Sequence, residues 1–333
     1  IYNEYHGLLI DRVIPAGRAG DYYRYQQVWG PRFINYNDFF TTRGPGVGFN
    51  PWFVYQPAPE TWGRWQDAAQ VVMGYVNQNI RNSGAIPGRS RSADGLRPLS
   101  MGMIREIHAA ALRGLPNSQN YIRDHGEMGL AFWRSSAVPI AVARNGIAYG
   151  GQTLVTFRQT QCFEDMDATT QALVTQRQYN SIPENTGATF NGTVGGRSGE
   201  LSCGFYQYPE ANVLQDQIDR MIDETNAQIT RFYEDGVTAD PVAVAARAQR
   251  WLVSIHPFRD GNGRTTRFVM DYILTSLGLP PPILDDMNLD TSLTESQWAE
   301  EIAEGMKRYN TLLSQCLSNP SQAGCRITPT SPN

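Results

Sequence analysis

The strongest pattern along the chain is a set of helical stripes in its second half. Val244, Ala248, Trp251, Leu252 and Ile255 recur every three or four residues, as the buried face of a helix does. Asp240 and Pro241 mark its start: the carboxylate can accept first-turn N–H groups, and a proline loses nothing at the first helical position. A second helix carries Phe268, Val269, Tyr272, Ile273 and Leu277 and is stopped by Gly278 and the prolines 280–282. A third follows Pro209 with Leu214, Ile218, Met221, Ile222, Ile229 and Phe232 on one face. A fourth begins at the capping box Thr294-x-x-Gln297 and buries Trp298, Ile302, Met306, Tyr309 and Leu313. Upstream, the spacing of Trp65, Ala68, Ala69, Val72, Val76 and Ile80 predicts a helix over 65–80. Ser100 caps another, with Met103, Ile104, Ile107, Ala111 and Leu112 before Gly114.

Between 116 and 196 the period changes. Apolar runs at 137–143 and 153–157, with turn pairs Asn145-Gly146 and Gly150-Gly151, read as strands and hairpins. Residues 1–60 are rich in aromatics, Gly and Pro without period and read as irregular structure packed on something else, and 84–96 read as an exposed linker. The expected architecture is mainly α with one β-containing stretch.

Composition alters this picture little. Of 333 residues, 41% are apolar and 18% charged, as in ordinary globular proteins. The net charge of −4 weighs against a broad nucleic-acid surface, and no apolar run is long enough to span a bilayer. The chain opens on Ile1 rather than Met, so removal of an N-terminal segment is expected. Lys307 is the sole lysine beside 27 arginines, which a GC-rich genome explains, as does delivery into a foreign cytosol where lysine attracts ubiquitin. Of the four cysteines, Cys316 and Cys325 flank a short polar loop and are expected to be bridged; Cys162 and Cys203 are left open. No cysteine spacing suits zinc. An exported protein is therefore expected, without excluding a cytoplasmic one.

The chemistry gathers in the loop between the two best-marked helices, His256-Pro-Phe-Arg-Asp260-Gly-Asn262-Gly-Arg264-Thr-Thr-Arg267. Gly261 and Gly263 allow a tight turn and close approach of backbone to a ligand, and the amides and dipole of a helix start attract an anion. Asn262 can add a side-chain N–H. Arg264 and Arg267, three apart, project to one side of the first turn and can clamp further phosphates. Asp260 suits Mg²⁺, which takes one or two carboxylates plus phosphate oxygens. His256 ends the preceding helix, and an ordinary histidine accepts a proton near neutral pH. His108 reads as a packed core histidine, and Trp251 and Trp298 as core.

This run resembles the Fic signature, His-x-Phe-x-Asp/Glu-Gly-Asn-Gly-Arg-x-x-Arg, at all eight fixed positions. Asp240-Pro241, the run Leu252 to His256, the stop after Leu277 and the helix holding Ile104 to His108 are also similar to the family's core. The resemblance implies a Fic-fold helical bundle with a β-hairpin flap and a β-containing insertion. It divides the chain into an N-terminal region, 1–94, a Fic domain, 95–315, with an insertion at 117–194, and a tail, 316–333. It implies a protein adenylyltransferase that moves AMP from ATP, with Mg²⁺, to a Ser, Thr or Tyr hydroxyl of a protein, releasing pyrophosphate. By the same resemblance, His256 is the general base and Asp260 the metal ligand. Phe258, Gly261, Asn262, Gly263, Arg264 and Arg267 bind the nucleotide, Arg264 at the β/γ-phosphates and Arg267 at the γ-phosphate. Arg197, Glu200, Leu201, Ser202 and Cys203 form the flap that takes a target chain by strand addition. Two other readings stay open: another donor, giving UMP or phosphocholine transfer, and a nucleotide-binding module without catalysis. Phosphocholine-transferring members carry Ala at the place of Gly261. The family's inhibitory motif, Ser/Thr-x-x-x-Glu-Gly/Asn, is matched only in fragments at Thr291 to Glu295 and Ser296 to Glu300, too incomplete to imply intrinsic inhibition.

Overall fold

The computed structural model describes residues 67–68, 71–72, 74–75, 97–113, 122–123, 128–135, 146–160, 166–175, 189–194, 197–235, 240–284 and 289–318. It is mainly helical with one antiparallel sheet. In chain order the elements are α1 (Met101–Ala111), β1 (Met128–Ser135), β2 (Ile147–Tyr149), β3 (Gln152–Thr160), α2 (Ala168–Thr175), β4 (Thr189–Val194) and β5 (Arg197–Glu210). Then come α3 (Leu214–Asp235), α4 (Pro241–Ile255), α5 (Asn262–Ser276), α6 (Leu289–Ser292) and α7 (Glu295–Ser318). No helix among these residues is long and apolar enough to cross a membrane.

The caps form as the sequence dictates. Asp240 accepts from Val242 N–H at 2.9 Å and Ala243 N–H at 3.2 Å, with Pro241 at the first position of α4. Ser100 accepts from Met103 N–H at 3.3 Å. The α7 box is reciprocal: Gln297 N–H donates to Thr294 Oγ1 at 3.3 Å, and Thr294 N–H to Gln297 Oε1 at 3.0 Å. Each such cap contributes on the order of 1 kcal/mol by pairing donors that a helix start leaves unmet.

Helix α4 lies at the centre, with α3, α5 and α7 around it and α1 against α5. Both α4 and α5 are buried nearly all round, so their polar side chains must find partners inside. Gln249 does so most fully. Its Nε2 donates to Thr266 Oγ1 at 3.2 Å and Asp290 Oδ2 at 2.8 Å, and its Oε1 accepts from Trp298 Nε1 at 2.8 Å. One amide thereby ties α4, α5, α6 and α7 together. Where helix is described around 67–75, Ala68 and Val72 are buried, as the spacing required. The α3 stripe is buried except for Ile222, which is partly so.

The sheet is arranged around β5. Strands β4 and β3 pair along one edge of it and β1 along the other, and β2 extends the sheet beyond β3. The β2–β3 hairpin turns at Gly150 and Gly151, both at positive φ (57° and 77°), as a two-residue turn of this hand requires. Tyr149, at the end of β2, stacks on Trp251 with centroids 5.1 Å apart and donates its hydroxyl to Glu295 Oε2 at 2.8 Å, pinning the hairpin to α4 and α7. The expected strand at 137–143, the irregular region 1–60 and the linker 84–96 lie outside the described residues, as do Cys162 and Cys325. Helix α7 continues through Cys316 to Ser318, into the stretch the sequence reading assigned to the tail.

Candidate active site

Helix α4 ends where His256 takes left-handed backbone angles (φ 52°, ψ 55°), its N–H still bonded to Leu252 O at 3.2 Å. His256 has the only non-glycine positive φ among the described residues, and Pro257 after it blocks continuation of the helix. The chain then turns tightly. Asn262 accepts from Phe258 N–H at 2.9 Å through Oδ1 and donates to Phe258 O at 2.6 Å through Nδ2. Asp260 Oδ1 accepts from Gly261 N–H at 2.6 Å. Gly261 stands at φ 77° as the N-cap of α5, and no side chain caps that helix start.

The imidazole of His256 is partly exposed, and its Nδ1 is buried. Tyr208 of β5 stacks on the ring with centroids 3.8 Å apart. Burial and the neighbouring Arg123 guanidinium push its pKa down to about 3, against a weaker upward pull from the Val253 carbonyl. The sequence reading expected an ordinary histidine titrating near neutrality. The structure corrects this, since desolvation keeps the ring neutral well into the acid range. At neutral pH it is wholly in the form that accepts a proton.

Asp260 has its carboxylate 44% exposed, with Arg264 Nη2 at 3.6 Å from Oδ1. Among the described residues no three His, Cys, Asp or Glu gather as a self-sufficient metal site. A lone accessible carboxylate beside a helix start that no side chain caps nonetheless fits Mg²⁺, which keeps several water and phosphate ligands. Arg264 is 12% exposed, whereas Arg267 is 9% exposed and lies 3.9 Å from Asp290 Oδ2. The Arg267 guanidinium also lies against Gly263: a Cβ added to that glycine would stand 3.1 Å from Arg267 Nη2.

Three expected ligand groups have other work here. The Phe258 ring is fully buried and stacks on His108 at 3.8 Å, so it anchors the loop in the core instead of facing a nucleotide. The Asn262 amide is spent on the Phe258 backbone, leaving one Nδ2 hydrogen for an anion, and its side chain is buried. Along β5, Arg197, Glu200 and Leu201 pair only with β4 among the described residues. Ser202 pairs with both Thr189 and Ser135, and Cys203 with both Thr160 and Arg134. The backbone at Ser202 and Cys203 is thus taken on both edges, and strand addition there is closed while β1 is in place.

Four further residues support the site, and none is assigned to it from the sequence. His108 proves a core histidine as expected, but with a definite duty: its Nε2 lies 2.9 Å from Asp260 O, and burial lowers its pKa, so the neutral ring donates to that carbonyl. Leu112 backs Gly261, Tyr208 backs His256, and Asp290 meets Arg267.

Fold and site together define a helical domain that sets a helix start no side chain caps beside a neutral histidine. Residues 173–274 match the model of the Fic/DOC family, and the chain carries a Fic/DOC family domain. Protein adenylyltransferase fic-1 of Caenorhabditis elegans is 34% identical over 88 residues, which are 26% of this chain and 16% of that protein. Protein adenylyltransferase Fic of Drosophila melanogaster is 51% identical over 51 residues, 15% of this chain and 10% of that protein. The chain thus spans a sixth or less of these curated relatives' length. Among solved structures, a Fic domain containing signaling protein from Bacteroides thetaiotaomicron aligns with a TM-score of 0.38 and 14% identity, over 95% of this chain and 90% of that one. Fic-1 of C. elegans aligns at 0.42 and 14%, over 95% and 71%.

Proposed function

We propose that this chain is a protein adenylyltransferase, moving AMP from ATP to a Ser, Thr or Tyr hydroxyl of another protein and releasing pyrophosphate. The observation that carries the reading is the junction of α4 and α5. One six-residue loop joins a histidine held neutral by burial to a glycine-capped helix start that no side chain closes. His256 would take the hydroxyl proton through Nε2 as the oxygen attacks the α-phosphorus. The α5 amides and Arg264 would hold the phosphates, and Asp260 would hold Mg²⁺, which supplies charge neutralisation when bound. Such transfer needs positioning and charge more than covalent help. The relatives named adenylyltransferases support the donor, though they match only part of this chain. Export is proposed on the near-absence of lysine and the even cysteine count.

The test is incubation with α-labelled ATP, and separately UTP, in lysates, followed by mass spectrometry of labelled bands. AMP on a protein hydroxyl supports the reading. Label from UTP alone would shift the donor, and binding of ATP without any label would leave a nucleotide-binding module.

A further inference from the structure

We propose that Arg123, which lies outside the stretch matched by the family model, is a positioning residue that holds the His256 backbone and β5 in one arrangement for proton transfer. This rests on the reading of His256 as the base. Arg123 is 5% exposed. Its Nε donates to His256 O at 2.7 Å, its Nη2 to Ile255 O at 2.9 Å and its Nη1 to Pro209 O at 2.6 Å. Its own N–H donates to Pro257 O at 3.0 Å, and Ile122 beside it forms an antiparallel bridge with Phe258. Segment 122–123 is therefore held along the motif loop by a single β-bridge, with the guanidinium bonded to the base's own carbonyl.

Three physical consequences follow. First, the Ile255 and His256 carbonyls are at the C-terminal end of α4, where a helix leaves carbonyls unmet and a cation is favoured. Arg123 meets both. Second, a non-glycine residue at positive φ before a proline persists only where its surroundings over-determine it. Bonds from one planar fork to consecutive carbonyls do this, and a flexible ammonium cannot reproduce them. Third, Pro209 directly follows Tyr208, whose ring stacks on His256. The same guanidinium thus fixes the base's backbone and the strand that carries its stacking partner. Among the described residues, the charged or titratable groups acting on the imidazole are Arg123 and, from β5, Tyr208.

The experiment compares the full chain with Arg123→Lys and Arg123→Met. Steady-state transfer from α-labelled ATP gives kcat and KM, and NMR titration of the His256 imidazole gives a readout independent of activity. In Arg123→Met, kcat should fall about 100-fold, as for loss of a near-attack geometry, with KM for ATP within about threefold of wild type. Its His256 should titrate closer to an ordinary histidine, because a nearby positive charge has gone. Arg123→Lys keeps the charge and loses the fork. It should keep the low titration and recover only part of kcat, and it carries the test should Arg123→Met fail to fold. Full kcat in Arg123→Lys would overturn the proposal. So would an unmoved His256 titration in Arg123→Met, or a parallel loss of kcat, ATP affinity and Tm. If the wild type transfers nothing, the functional reading fails, while the imidazole titrations still decide whether Arg123 governs His256.

Discussion

Replacing Gly261 with alanine should destabilise the protein by an amount that can be worked from two contacts. Gly261 stands at φ 77°, where an L side chain costs roughly 1–2 kcal/mol. An added Cβ would lie 2.8 Å from Leu112 Cδ1 and 3.0 Å from both Cδ2 and Cγ. Leu112 is fully buried and cannot swing aside, so overpacking adds about 1–3 kcal/mol. The sum, about 2–5 kcal/mol, is a large share of the ~5–15 kcal/mol by which a domain is stable. Urea unfolding of Gly261→Ala, Leu112→Ala and the double variant would test this. Leu112→Ala alone should cost about 2–5 kcal/mol, and the double variant should cost less than the two added, by about 1–3 kcal/mol, because the methyl enters the space left. A cost below about 1 kcal/mol for Gly261→Ala, or strict additivity in the cycle, would refute the packing argument. The alanine of the phosphocholine-transferring branch therefore has no room here while residue 112 is leucine.

Four further outcomes are expected. His256→Ala should abolish transfer and leave ATP binding by calorimetry near wild type, because the base meets the hydroxyl and not the phosphates; appreciable residual labelling would unseat the assignment. Arg267→Ala should weaken ATP more than ADP by about 1.5–3 kcal/mol, roughly ten- to hundredfold. Equal losses for the two nucleotides would mean that the γ-phosphate lies elsewhere. In the folded state His256 refuses a proton that the unfolded chain takes near 6.5, so its contribution to stability is full above that pH and is lost as pH falls toward about 3. His108 adds with the same sign, and His256→Gln should flatten the fall in urea midpoint between pH 7 and 4; an unchanged slope would count against burial as the cause. Protein made in an oxidising compartment should show Cys316 linked to Cys325 by non-reducing mass analysis, and finding two free thiols would remove the main support for export.

What was legible in the sequence was what short-range chemistry encodes. Asp240-Pro241, Ser100 and the pair Thr294 and Gln297 announce helix starts because a cap and its partners lie within three residues of each other. The motif loop was legible for the same reason. Its glycines, arginines and carboxylate sit within twelve residues, and the loop joins two helices whose stripes were plain. Arg123 was not legible, being a single arginine in a stretch without period, 133 residues from the carbonyl it serves. Strand β1 was passed over because Met128–Ser135 shows no clean alternation, and its pairing with β5 spans some seventy residues. Phe258 and Asn262 are legible as motif members, but their contacts inside the protein are not. Composition names an aromatic ring and an amide, but only packing decides that one faces His108 and the other its own loop.

Strand β1 also bears on how a second polypeptide could dock on β5. From Ser202 to Glu210 that edge is held by a segment of the same chain, while on the same side Arg197 to Leu201 have no strand among the described residues. An incoming strand that pairs along the held stretch has to displace a tethered competitor, whose pairing with β5 is intramolecular. Backbone pairing alone gives the newcomer nothing that β1 does not already have. Its apparent affinity is its intrinsic one reduced by the fraction of time β1 is away. Whatever wins that exchange must do so with side-chain contacts, so selectivity lies in what the visitor carries and not in its readiness to form a strand.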